Sequence, residues 1–473
     1  MKLCVICILA LTLSAVWWTS ACVVDLESYI DGENGIFVDT EPSWLYHGTG
    51  LKDFNGDGYG DMVFGYGTSG QDTFPVHVVY GGADLPNHVH VSEDTIDGTN
   101  GFTIYGDPGS DFGGGAADAG DVNGDGYSDL LITARSAGKA YVLFGAPVMP
   151  AKIILSTYVN GSNGFIVESF PSSAQGIGDV NADGVDDIML SQGGEAYVIF
   201  GKRTPFNTTV DVHALHGRDG FLIVNSLYPT GRIGISVTGG SDFNGDGVSD
   251  MVVAGACTYE EGGYAAIIFG GNTEVPEVVD IATLSQRSGL MFKLTGQSLY
   301  LAVSSLNDFN GDGVGDIALA RSYEGGDLGH VYVLFGSRDV SPSPLEVEDL
   351  NGSNGFAILG DQMGNFGYMV SPHGGDLNGD GLTDILVTND FNYSYQSSGV
   401  HSFVFRGTTQ RFDSEVTCTA LIAADLAIQT ESFCGYYCDV RSVYPCDING
   451  DGFDDMLNYG YRKPILYGSE QFC

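Results

Sequence analysis

Asp242-Phe-Asn-Gly-Asp-Gly-Val-Ser-Asp250 is the stretch on which the fold turns, because it recurs. The pattern Asp-x-Asn-Gly-Asp-Gly-x-x-Asp begins at Asp53, Asp121, Asp179, Asp242, Asp308, Asp376 and Asp447, at intervals of 58 to 71 residues. Only the third copy departs, with Ala182 in place of the first glycine. Recurrence at a near-constant period marks a repeat architecture in which each repeat is one supersecondary unit. The spacing excludes duplicated helix-loop-helix calcium modules, whose loops lie closer together, are flanked by amphipathic helices and end on a Glu at the twelfth position.

Outward from the loop the flanks repeat as well. An apolar run follows it, as in Asp129-Leu-Leu-Ile-Thr133 or Asp384-Ile-Leu-Val-Thr388, and suits a strand buried on both faces. A second run follows after a turn, as in Ala140-Tyr-Val-Leu-Phe-Gly145, and a third begins with Gly-Phe, as in Gly164-Phe-Ile-Val167. A weaker, glycine-rich fourth leads into the next loop. Four short strands per repeat predict one antiparallel sheet, and seven repeats predict an all-β, seven-bladed propeller of four-stranded antiparallel blades. The last repeat lacks its Gly-Phe strand, while Asn34-Gly-Ile-Phe-Val38 precedes the first loop. The expectation is therefore a ring closed by an N-terminal strand that completes the last blade, which removes open sheet edges.

Residues 1–21 read as a signal peptide: Lys2, an apolar run from Leu3 to Trp18, then small residues before Cys22. Residues 22–473 are read as one domain, secreted, with lipid anchoring through Cys22 as the alternative. Seven cysteines remain in the mature chain, and four of them, Cys418, Cys434, Cys438 and Cys446, suggest disulfides within an excursion at about 416–446. Cys22 and Cys473 could tie the two ends. Sequons at Asn160, Asn207, Asn351 and Asn392 would carry glycans in a eukaryotic host.

The net charge of -42, from 60 acidic and 18 basic residues, disfavours nucleic acid and anionic membranes as partners. Cations are the natural counterpart, because the carboxylates gather in the loops. Calcium takes six to eight hard oxygens, and alternate positions of a tight loop turn their oxygens inward. The first loop offers Asp53, Asn55, Asp57, the carbonyl of Tyr59, and Asp61. The second and third offer Asp121, Asn123, Asp125, Tyr127 and Asp129, and Asp179, Asn181, Asp183, Val185 and Asp187. The fourth and fifth offer Asp242, Asn244, Asp246, Val248 and Asp250, and Asp308, Asn310, Asp312, Val314 and Asp316. The last two offer Asp376, Asn378, Asp380, Leu382 and Asp384, and Asp447, Asn449, Asp451, Phe453 and Asp455. Up to seven calcium ions are expected, stiffening the turns rather than signalling.

At these residues the sequence resembles the FG-GAP repeats that build the N-terminal propeller of integrin α subunits. Phe112-Gly113 and Phe366-Gly367 keep the Phe-Gly half of the motif, and Gly255-Ala-Cys257 is the nearest match to the other half. The reading expects neither the stalk domains nor the membrane helix of an integrin α subunit. The resemblance implies loops that join the inner two strands of each blade, and ligand binding on the opposite face. Connections predicted for that face carry Trp44, Tyr46, Tyr228, Tyr259, Tyr323, Tyr393 and Tyr395, suited to protein contacts or sugar stacking, or to packing the loops down. The reading is an adhesion or ligand-binding module for an extracellular protein or carbohydrate. The alternative is a secreted hydrolase or lyase with an acidic site at the propeller axis, and a surface or matrix component is a third possibility. No Gly-x-Ser-x-Gly elbow, His-Glu-x-x-His helix or phosphate loop occurs. His88 and His90, and His213 and His216, are expected in solvent-exposed loops, and Asp186-Asp187 in a solvated turn.

Overall fold

The structure is a computed structural model. It describes residues 23–25, 30–31, 34–40, 47–65, 75–228, 232–258, 262–271, 276–294, 300–322, 329–340, 344–360, 366–388, 400–432, 446–457 and 463–469. Seven small, mainly antiparallel sheets stand in a ring, a seven-bladed β-propeller.

The second blade shows how a repeat folds. Its innermost strand, Phe112–Gly120, is glycine-rich where it packs close to the innermost strands of the neighbouring blades. The acidic loop turns the chain back into Asp129–Ala134, which is almost wholly buried, as its unbroken apolar run requires. Lys139–Leu143 and Gly164–Glu168 continue the antiparallel order outward. The loops thus join the inner two strands, and the connection after the second strand and that after the fourth emerge at the opposite end. Hydrophobic clusters lie between neighbouring sheets, as where Val252, Ala254 and Ile267 of the fourth blade meet Val303, Ile317 and Leu319 of the fifth.

The sheets are wider than expected. Six of them have five strands among the described residues, and the added one is parallel. Lys152–Ile154, from between the third and fourth strands of the second blade, pairs with Gly101–Tyr105 at the outer edge of the first. The same exchange recurs at Thr209–Asp211, Val278–Asp280, Leu345–Glu346 and Glu415–Thr417. The N-terminal Gly35–Thr40 pairs antiparallel with Lys463–Leu466 of the last blade, and Val23–Asp25 adds a parallel strand to the sixth. Each outer edge is covered by its neighbour, so an unpaired ladder is not presented to solvent.

Two expectations need correction. His88 and His90 lie on an edge strand, His88–Val91, with their side chains exposed, rather than in a loop. Its pairing with Gly35–Thr40 explains this, and His88 Nδ1 lies 3.3 Å from Asp39. Cys446 is a buried thiol donating to the carbonyl of Asp61 at 3.8 Å, not half of a disulfide, since the chain carries it into the core beside the first blade. Cys22, Cys434, Cys438 and Cys473 lie outside the described residues, as does the signal segment.

Candidate metal centres and the opposite face

The seven loops share one geometry. Position 2 of each is apolar and buried: Phe54, Val122, Val180, Phe243, Phe309, Leu377 and Ile448. This plug pins the loop to the core. Position 9 is a buried carboxylate that accepts at least two backbone N–H groups. Asp61 takes them from Phe54 at 2.9 Å and Gly81 at 3.0 Å, and Asp316 from Phe309 at 2.8 Å and Gly336 at 2.9 Å. Asp129, Asp187, Asp250, Asp384 and Asp455 repeat the arrangement. Position 1 is half-buried, and its oxygens organise the turn. Asp53 accepts from Gly56, Asp57 and Gly58 at 2.6, 3.0 and 2.8 Å. Asn55 Oδ1 accepts from Asp57 at 3.1 Å, and Asp57 Oδ1 from Tyr59 at 3.0 Å.

Burial dominates the electrostatics of position 9. Removal from water pushes the carboxyls of Asp61, Asp187, Asp316 and Asp455 up to about 8, and those of Asp250 and Asp384 to about 7, despite the bonds from backbone amides that oppose the shift. Asp129 shifts the same way. The carboxylates at positions 1 and 5 add repulsion, as Asp57 and Asp53 do at Asp61. No Lys, Arg or His offsets this charge through an ion pair among the described residues.

Whether the residues suit a hard cation is answered by this chemistry. The donors are all oxygens, they stand on one tight turn, and the innermost is a buried carboxyl that, among the described residues, has no cationic partner. They fit calcium in kind. In position they are held apart: among the described residues no three acidic, His or Cys groups converge to metal-ligating distance. The oxygens at positions 1, 3 and 5 are turned onto the loop's own amides.

The axis bears on a catalytic site. At the loop end Asp118, Asp186 and Asp454 surround it, but each carboxylate serves the backbone. Asp186 accepts from the N–H of Asp121 at 2.9 Å, Asp454 from that of Asp376 at 2.9 Å, and Asp118 from Gly120 at 3.0 Å and from the Ser128 hydroxyl. Burial raises both Asp186 and Asp454, and Lys52 opposes the shift in each. Asp186 and Asp187 are therefore not a solvated pair. The carbonyl of Pro372 accepts from Ser305 N–H at 2.9 Å and Thr238 Oγ1 at 2.6 Å, tying the fourth, fifth and sixth blades together.

On the opposite face, Tyr228 is half-buried and stacks on Tyr264, with centroids 6.2 Å apart and planes inclined by 16°. It packs its connection down. Trp44, Tyr46, Tyr259, Tyr323, Tyr393 and Tyr395 lie outside the described residues. Phe170, 61% exposed, and Leu227, 54% exposed, stand in consecutive connections of this face. Sequence reasoning passed over Phe170, although its place between a Gly-Phe strand and the next glycine-rich strand was readable. It also missed the apolar residue at position 2, visible in all seven loops.

A family model described as FG-GAP repeat matches residues 113–143 and 370–401. Its FG-GAP repeats make this propeller similar to the N-terminal domain of integrin α subunits. Integrin alpha-4 of Xenopus laevis is 28% identical over 158 residues, covering 31% of this chain and 13% of the relative. Integrin alpha-V of Gallus gallus is 25% identical over 227 residues, 45% of this chain and 20% of the relative. A phosphatidylinositol-glycan-specific phospholipase D of Bos taurus is 27% identical over 178 residues, 35% of this chain and 19% of the relative. The chain thus spans a fifth or less of these relatives. No helix among its described residues is long and apolar enough to cross a membrane.

Proposed function

We propose that the protein is an exported, calcium-loaded propeller that serves as an adhesion or ligand-binding module, engaging an extracellular protein or carbohydrate through the face opposite its acidic loops. One observation supports the calcium reading above others: seven buried position-9 carboxylates that lack a cationic partner. A buried carboxyl is either protonated or paired with a cation, and calcium, when bound, would supply the positive charge that holds these groups ionised. The chain's residues would do the rest. Positions 1, 3, 5 and 9, with the carbonyl at position 7, would hold the ion, and the backbone amides keep those side chains on one turn. The similarity to integrin α subunits supports a binding role.

A hydrolase or lyase using axial carboxylates is less well supported, because Asp118, Asp186 and Asp454 already serve the backbone. Exposed Phe170 and Leu227, in consecutive connections of the opposite face, support that face as the contact surface. Glycan-array and pull-down screening of the calcium-loaded protein tests this. A ligand found there should lose at least about tenfold in affinity with Phe170→Ala plus Leu227→Ala, as removal of central apolar anchors does. Unchanged affinity would move the site elsewhere.

A further inference from the structure

The acidic loops are not seven separate turns, because six of them are clipped to the one before, and the fourth is tied to the third only through a glycine beyond its own loop. Ser128 N–H donates to the carbonyl of Asp53 at 3.0 Å, Asp186 to Asp121 at 3.1 Å, Gly315 to Asp242 at 2.8 Å, Thr383 to Asp308 at 2.7 Å, and Asp454 to Asp376 at 3.1 Å. Gly60 donates to Asp447 at 2.6 Å, which links the first loop to the last. The donor is position 8 of one loop and the acceptor position 1 of its predecessor. Between the third and fourth loops, Gly271 N–H meets the carbonyl of Val180 at 2.9 Å.

The consequence lies in which residues are joined. Asp53 would offer its side chain to a cation in the first loop, while its carbonyl holds Ser128, the residue next to Asp129, the buried carboxylate of the second. The same one-residue bridge runs from Asp121 to Asp187, from Asp242 to Asp316, from Asp308 to Asp384, from Asp376 to Asp455 and from Asp447 to Asp61. Side chains add a second clasp. The Tyr127 ring lies over Gly56, where a Cβ would stand 2.3 Å from it, Phe453 lies over Gly379, and Tyr59 over Gly450. Arg203 packs on Gly124 of the second loop and donates to the carbonyls of Asp183 and Gly184 in the third, at 3.2 and 2.6 Å.

We propose that the loops bind calcium cooperatively around the ring, because ordering position 1 of one loop fixes the backbone beside position 9 of the next. An ion that rigidifies one turn has already met part of the ordering cost of its neighbour, which is positive coupling without a change of shape. The inference rests on the calcium reading above.

Calorimetric calcium titration of the full chain tests it. The wild type should bind with a Hill coefficient near 2. Asp308→Asn should remove one ion and also weaken the remaining ions about fivefold, the low end of typical coupling between sites. Arg203→Ala removes an exposed bridge and no ligand, so it tests coupling even where the Asp308 variant fails to fold. It should keep the stoichiometry and lower the Hill coefficient. Independent sites, with Asp308→Asn losing one ion and leaving the rest unchanged, would overturn the coupling alone. A chain that takes up no calcium would overturn the calcium reading and the coupling with it.

Discussion

Two kinds of residue carry the burden at the smallest scale. The first are the loop aspartates, whose positions were legible from spacing alone; their burial was not, because a nine-residue motif does not reveal which carboxylate faces the core. Ala182, at φ 60°, shows how firmly the turn is imposed: an alanine adopts the left-handed conformation at a cost of roughly 1 kcal/mol. The second kind is the ionisable group buried away from any loop. His77 is 1% exposed, lies 3.1 Å from the Thr103 hydroxyl, and is held neutral by burial, its pKa lowered from 6.5 to about 4. The sign follows directly. The unfolded chain takes up a proton first, so the stability tied to neutral His77 is complete above pH 6.5 and is lost as pH falls towards 4. The loss amounts to on the order of 3 kcal/mol. His77→Gln should flatten the melting temperature against pH within that window, and an unaltered profile would show that His77 does not set acid sensitivity.

At the scale of elements, the strands beside the loops were readable because their apolar runs are continuous, and the ring followed from counting them. The fifth strands were not. Lys152–Ile154 and Thr209–Asp211 have three residues each, too few for alternation to show, and they form only because a neighbouring blade offers an open edge. Sequons were readable, but not their setting: Asn160 and Asn351 each accept from the hydroxyl two residues on, at 2.7 and 2.6 Å, so both serve a repeated turn. One close contact between elements recurs at the glycine after the third strand, as at Gly81, Gly201 and Gly336. At Gly336 a Cβ would stand 2.1 Å from the carbonyl oxygen of Gly315 and 2.6 Å from that of Phe243, in its own loop and the preceding one. Neither is a flexible side chain. Gly336→Ala should therefore destabilise the chain by about 3 kcal/mol in urea unfolding, the cost of an overpacked junction. A change below about 0.5 kcal/mol, the range of ordinary surface substitutions, would show that the blades part easily there.

At the scale of the whole molecule, the propeller has two faces with different tasks. One carries seven acidic loops, six of them clipped to the loop before, all related by the repeat. The other carries connections that repeat least, with Phe170 and Leu227 exposed. A chain of net charge -42 concentrates its repulsion in the first face, so that face governs stability while the second is free to vary. Ions that bind only the folded ring stabilise it by mass action, about 2.7 kcal/mol for each site held at a hundredfold excess over its dissociation constant. The most direct test is thermal unfolding in millimolar calcium and again after chelation. Chelation should lower the melting temperature by at least about 10 °C, and returning calcium should restore it. A melting temperature unchanged by chelator would contradict it.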